Sequence, residues 1–200
     1  LNCPRRIDAQ IVDCPPGVRA QISRSMAGFG GDQPKHPNRM YLEKSPFLAQ
    51  HKGDAVWWQT WGLAAFNSAR EQDKPIFLSV GYSTCHWCSE MNDDCFQDVE
   101  VPDLMNQYFV SILADREELP DVDDVYMRSV QAMGEKGGWP LSLFLTPDLK
   151  PFFAATFLPK ASFAQALKQV ARMWQKDRPQ VLAIAEQLNQ HLTHTASVSV

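Results

Sequence analysis

Short, continuous apolar runs separated by helical periodicity set the organisation of this chain. "PIFLSVGY" (Pro75–Tyr82) and "FVSILAD" (Phe109–Asp115) do not alternate, which is the pattern of strands covered on both faces. In "GGWPLSLFLTPDLKPFFAATF" the spacing predicts a strand over Leu141–Thr146, a turn at Pro147-Asp148 and a partner strand over Phe152–Phe157. Between them, Gly62–Gln72 places Ala65, Phe66 and Ala69 on one helical face, and Pro75 ends that element. A second helix is expected from His86 to about Phe96, and a third runs through Val122, Tyr126 and Val130 with Asp121 as its cap. After Lys160, one helical segment carries Phe163, Leu167, Val170 and Trp174. Another carries Val181, Ile184, Ala185 and Leu188, with Pro179 between the two. A βαβ unit followed by a hairpin and a terminal helix predicts a layered α/β domain with a central mixed sheet.

The pattern also divides the chain. Residues 1–37, with Pro15-Pro16, Gly28, Gly30-Gly31 and Pro34, read as an irregular leader. Residues 38–160 form the domain, 161–192 are C-terminal helical segments, and 193–200 are a frayed tail. The amphipathic stretch Ser162–Leu192 either covers the sheet or docks onto a further domain. Two hundred residues, 44% of them apolar, can bury a core without staples. Nineteen basic against 23 acidic residues, with no basic patch interleaved with aromatics, argue against nucleic acid as a partner. No apolar run approaches the roughly 18 residues of a membrane span, and "LNCPRRIDAQIVDCPP" lacks a signal-peptide core. Because it opens on Leu1, the sequence reads as a processed chain or a cut one. Its five cysteines are unevenly used, unlike a disulfide-stapled secreted scaffold, so a cytoplasmic, reducing compartment is expected. Cys3 and Cys14, in the leader, either bridge each other or stay free.

The candidate chemistry lies in "STCHWCSEM" (Ser83–Met91), where Cys85 and Cys88 flank His86 and Trp87. A bare C-x-x-C admits a redox couple, half a metal site or two packed sulfurs. At a helix start, i and i+3 bring the Cβ atoms to about 5–6 Å, within reach of a disulfide whose Cα atoms lie about 4.4–6.8 Å apart. A thiol there meets unpaired N–H groups and the positive end of the helix dipole, which favour thiolate. A protonated His86 would act in the same sense. Cys85 is therefore expected to attack and Cys88 to resolve the mixed disulfide.

The metal reading lacks a second ligand pair, because His36, His51, His191 and His194 are isolated. No metal or cofactor is expected. On a continuous helix Cys95 would sit about 10.5 Å from Cys88 along the axis, so it is expected in the core. Gly137-Gly138-Trp139-Pro140 suits a cis proline opening a strand, a conformation seen in only about 5–6% of X–Pro bonds. In layered α/β folds of this type that loop faces the cysteines, and its exposed backbone is expected to pair with an extended substrate. Trp87, between the cysteines, is expected to be exposed to partners. Trp57, Trp58 and Trp61 read as packing more readily than as a ligand groove. The run "DREELPDVDD" (Asp115–Asp124) lacks the glycine of a calcium loop and reads as solvated, except Asp115, which ends a strand on the motif side.

These motifs together resemble one family. "NRMYLEKSPFLAQH", "WWQTWGLAAF", "KPIFLSVGYSTCHWC" and "GGWPLSLFLTPDLKPFFAATF" are similar to the thioredoxin-like N-terminal domain of spermatogenesis-associated protein 20 and its bacterial relatives, over roughly Asn38 to Lys160. The resemblance implies a thioredoxin-like fold with Cys85 and Cys88 at the active-site position and Pro140 as the cis proline. The implied activity is thiol–disulfide exchange with protein or small-molecule thiols. Long members carry a further barrel of helices resembling sugar-processing enzymes, so the alternative is a non-catalytic accessory module for such a domain. Departures from the pattern fall at Ser89 in place of His, at Asn92-Asp93-Asp94-Cys95, and at Trp57 in place of Asp. Ser79 stands where thioredoxins bury an acid, leaving Glu90, Asp115 or water to accept the proton of Cys88.

Overall fold

A computed structural model describes residues 38–198, with side chains described as far as residue 192. The expected leader, with Cys3 and Cys14, lies outside the described residues. In chain order the elements are α1 (Pro46–Gln50), β1 (Gln59–Thr60), α2 (Leu63–Gln72), β2 (Ile76–Gly81) and α3 (His86–Met91). They continue with α4 (Glu100–Tyr108), β3 (Val110–Asp115), α5 (Pro120–Ala132), β4 (Leu141–Leu145), β5 (Pro151–Ala155), α6 (Lys160–Lys176) and α7 (Arg178–Val198).

The five strands form one mixed sheet in the order β1-β3-β2-β4-β5. β2 pairs in parallel with β3 and antiparallel with β4, and β5 closes the hairpin on β4. β2 and β3 are buried throughout, as strands whose apolar residues fall on both faces require. Alternation along the strands then builds two cores. Leu78, Val80, Ile112, Ala114, Leu141 and Leu143 pack beneath α2 and α5 with Phe66 and Tyr126. Phe77, Leu113 and Phe144 face the other way, toward the cysteines and the α6 residues Phe163, Leu167 and Trp174. Ser79, Ser142 and Asp115 have the same parity as Phe77, Phe144 and Leu113, so they share this second face.

Several local expectations need correction. α1, β1 and α4 were not legible as elements. β1 is two residues long, and α4 carries Pro102 in its first turn, where the missing N–H costs nothing. Asp121 does not cap α5: the helix begins at Pro120 behind Leu119, with no side-chain cap, and Asp121 lies within the first turn. Its charge still faces the positive end of the helix. The helix after the motif is not continuous either. α3 ends at Met91, and Asn92–Phe96 is wound as a π-helix. β5 starts at Pro151 and stops at Ala155, short of Phe157. Pro179 does not separate the last two helices but lies in the first turn of α7, behind Asp177, and α7 continues past Leu192 to Val198.

Candidate active site

The step from β2 to α3 carries the cysteine motif. β2 ends at Gly81, and Cys85 caps α3 in an extended conformation (φ −76°, ψ 109°). Its N–H donates to the Tyr82 carbonyl at 3.1 Å, and its carbonyl accepts from Ser89 at 3.2 Å. The Cys85 sulfur accepts the backbone N–H of Cys88 at 3.2 Å. Cys85 and Cys88 are joined by a disulfide across a Cα–Cα distance of 5.2 Å, within the normal span of such a bond. Cys85 stands at the helix mouth. Cys88, one turn in, lies under β2, where a Cβ built on Gly81 would come within 2.8 Å of its sulfur and 2.6 Å of Phe47. Glycine at position 81 lets the motif helix settle this close to the strand.

An aromatic rim surrounds the pair. Trp87 is 53% exposed, its ring 5.0 Å from Phe157 and 5.2 Å from His86, which is also exposed. Across the sheet end, Val80 pairs with Leu141, so the Gly137–Pro140 loop that feeds β4 lies beside Tyr82. The Trp139–Pro140 peptide bond is cis. Gly137 has φ 75°, and a Cβ there would meet Met127 at 2.5 Å. Trp139 is half-buried and donates its indole N–H to Asp123 at 2.8 Å.

Asp115 ends β3 next to Gly81, and both of its carboxylate oxygens are occupied. Ser45 donates to one at 2.6 Å, and the Glu117 N–H donates to the other at 2.9 Å. The same Ser45 caps α1 by accepting from Leu48 at 3.1 Å, so Asp115 ties the first helix to the sheet. Nearby, burial raises the carboxyl of Glu118, with the Asp115 charge adding to it. Burial likewise raises Glu43, helped by Glu118 and opposed by Arg39. Ser79 is buried in β2 opposite Ser142, whose hydroxyl faces the Met91 sulfur at 4.0 Å. Glu90 is exposed.

Trp58 and Trp61 are core residues, and Trp57 alone of the three is exposed. Cys95 is fully buried, and burial, with Asp94 next in effect, pushes its thiol up to about 12. Among the described residues no three His, Cys, Asp or Glu side chains are placed to hold a metal. Nor is any helix long and apolar enough to cross a membrane. A cavity of about 250 Å³ beside Lys74, Trp174 and Arg178 lies at the far end of β2, away from both sulfurs.

Three residues beside the site carry no mark in the sequence pattern. Arg116 and Asp123 sit inside the run that composition alone reads as solvated, and Tyr82 looked like the last residue of a strand. The available signal was an arginine and an acid seven residues apart, upstream of an isolated tryptophan.

Residues 37–193 match the thioredoxin-like DsbH family, described as "Protein of unknown function, DUF255". The chain belongs to this family. Its fold is the thioredoxin-like one, and the chain is similar to the spermatogenesis-associated proteins 20. It is 43% identical to the one from Rattus norvegicus over 172 residues, covering 83% of this chain and 22% of that protein. Identity to the Homo sapiens protein is 42% over 195 residues, covering 90% and 25% respectively. The chain thus spans about a quarter of the length of these relatives. A solved structure titled "DsbH Oxidoreductase" is 19% identical with a TM-score of 0.45, over 75% of this chain and 99% of that one.

Proposed function

We propose that the chain is a thiol–disulfide oxidoreductase that works through the Cys85/Cys88 couple. The observation that carries this reading is the Cys85–Cys88 disulfide at the mouth of α3, with the Cys88 N–H aimed at the Cys85 sulfur. That N–H and the helix dipole favour negative charge on Cys85 once the bond is reduced. The Cys85 thiolate then attacks a substrate disulfide, forms a mixed disulfide and expels one substrate thiolate, which takes a proton from water. Cys88 loses its proton and attacks the Cys85 sulfur, which restores the intramolecular bond and releases the second substrate thiol. Two electrons pass to the substrate. In the opposite direction a substrate dithiol is oxidised. With Ser79 in place of a buried acid and Asp115 occupied by Ser45, water at the exposed rim is the acceptor we assign to the Cys88 proton. Protein or small-molecule thiols are the partners, and the uneven use of the five cysteines supports a reducing, cytoplasmic setting.

A second reading is favoured by Ser79, which stands where thioredoxins bury an acid, and by Ser89 in place of His. It is a thioredoxin-fold binding module that serves a further domain. Trapping separates the two. Reduced Cys88→Ser protein should accumulate mixed disulfides at Cys85 with a peptide disulfide, seen by mass spectrometry, and the native chain should reduce insulin. No adduct and no insulin reduction would leave only the module.

A further inference from the structure

We propose that Arg116 is a positioning residue for polypeptide disulfides, acting through Trp139 on the loop that carries Pro140. The inference rests on the oxidoreductase reading above. Arg116 follows β3, and its backbone N–H is fixed to the Gly81 carbonyl at 2.9 Å. Its guanidinium carbon lies 3.9 Å from the centre of the Trp139 ring and 5.6 Å from that of Tyr82. Its Nε pairs with one oxygen of Asp123 at 3.4 Å, and the other oxygen of Asp123 accepts the Trp139 indole N–H at 2.8 Å. Tyr82 meets the Trp139 ring edge-on at 5.8 Å. The indole is therefore held by its face and its nitrogen, with the Tyr82 ring packed perpendicular to it.

On one side of Trp139 the chain is loose in conformational terms. Gly137 and Gly138 have φ of 75° and 146°, which residues with a Cβ rarely adopt. On the other side Pro140 has a locked φ. Pinning the indole thus decides where the backbone between Gly138 and Pro140 is presented beside Tyr82, whose carbonyl accepts the Cys85 N–H at 3.1 Å. A planar guanidinium suits this role better than an ammonium, because it stacks on the ring while its edge still reaches a carboxylate.

Capture of an anionic substrate group fits the charges less well. Asp115, Glu117 and Glu118 flank the guanidinium in sequence, and Asp123 already neutralises it. The role is internal, and it falls on substrates that need the loop. An extended polypeptide meets the loop backbone, whereas a small disulfide needs only the sulfurs, so preorganisation matters to the first alone.

Steady-state reduction of a peptide disulfide and of hydroxyethyl disulfide, with an excess small thiol as the reductant that regenerates the Cys85/Cys88 dithiol and its uncatalysed rate subtracted, tests this. Arg116→Ala should raise KM for the peptide on the order of tenfold, leaving its kcat and the hydroxyethyl disulfide rate unchanged. Arg116→Lys should fall between. Asp123→Asn keeps an acceptor for the indole and should act mildly. Arg178→Ala is a remote control: it also removes an arginine stacked on a tryptophan (Trp174, 4.4 Å) and paired with an aspartate (Asp73), so its loss of stability should leave KM unchanged. If Arg116→Ala fails to fold, the lysine and Asp123 variants carry the test. Equal losses on both substrates, or an unchanged peptide KM, would overturn the positioning role alone. No turnover of either substrate by the native chain would overturn it together with the oxidoreductase reading.

Discussion

At Asp54 a single buried carboxylate collects donors from four parts of the chain. His51 Nδ1 lies 2.8 Å from one oxygen and the Trp58 indole donates to the same oxygen at 2.8 Å, while Gln97 donates to the other at 2.6 Å. Asn92, with its amide nitrogen turned toward the pair, reaches the carboxylate at 3.2 Å. The Asn38 side chain holds the backbone carbonyls of His51 and Asp54. A buried charge is tolerated only when its acceptor sites are filled, and this one is. Gln97 and Asn92 bracket the π-helical segment after the motif, so the carboxylate fixes that segment to the chain before β1. Replacing Asp54 with Ala leaves the indole N–H of the fully buried Trp58 without a partner, while the exposed Gln97 can turn to water. The substitution should cost on the order of 3 kcal/mol in urea unfolding, and Asp54→Asn, which keeps an acceptor, should cost less. A surface-sized loss for the alanine variant would show that water enters and replaces the carboxylate.

Among the elements, β2 and α3 are joined by a step that only glycine allows at this distance. A Cβ on Gly81 would sit 2.6 Å from Phe47 and 2.8 Å from the Cys88 sulfur, and neither neighbour is free to retreat. Phe47 is clamped in α1 against His51, and Cys88 is bonded to Cys85. Gly81→Ala should therefore destabilise the fold by about 1–3 kcal/mol, the usual range for overpacking. It should also slow closure of the Cys85–Cys88 disulfide after reduction, measured by quenched alkylation. A variant that closes at the native rate would show that α3 shifts as a unit. The elements legible in the sequence were those whose burial leaves a period: β2, β3, β4, α2 and α6 each carry an unbroken apolar run or a helical stripe. β1 leaves none because it is two residues long, whereas α4 does carry a helical stripe, Val101, Leu104, Met105 and Tyr108, whose start is masked by Pro102 and the acids around it. The π-helical turn at Asn92–Phe96 is likewise invisible, since it adds a residue to a turn without changing which residues are apolar. At the site, the sulfurs and Trp139-Pro140 were readable from spacing. Arg116 and Asp123 were not, because they meet through Trp139, 16 residues beyond Asp123, and through a ring face, and an acidic run looks the same whether solvated or pinned.

For the whole molecule, the larger core is built around a thiol that the proposed chemistry does not use. Cys95 is fully buried among Phe77, Phe96 and Phe163, and its sulfur faces the Leu158 carbonyl at 3.7 Å. Around it, Asp94 accepts the Lys160 N–H at the start of α6, and Asp98 pairs with the Lys160 ammonium at 3.1 Å. The segment after the motif is thus fastened to the last layer of the fold. Burial raises the Cys95 thiol from 9.0 to about 12, with Asp94 adding, Lys160 opposing and Asp98 adding. The native chain therefore holds this proton where the unfolded chain has already released it. Stability from this group is complete below about pH 9 and is lost as pH rises toward 12, because the unfolded state then binds fewer protons than the folded one. Other groups titrate in the same range with either sign. Lys74, lowered by burial, gains stability as pH rises, and Lys160, raised by Asp98, loses it. The comparison that isolates Cys95 is native protein against Cys95→Ala, both oxidised at Cys85–Cys88, in urea titrations from pH 8 upward. The native advantage should shrink steadily above about pH 9, at no more than one proton's slope, and native Cys95 should resist alkylation at pH 9 without urea. Parallel stability curves, or rapid alkylation of the folded chain, would mean that the core opens around Cys95 and that the layers move apart far more readily than their packing implies.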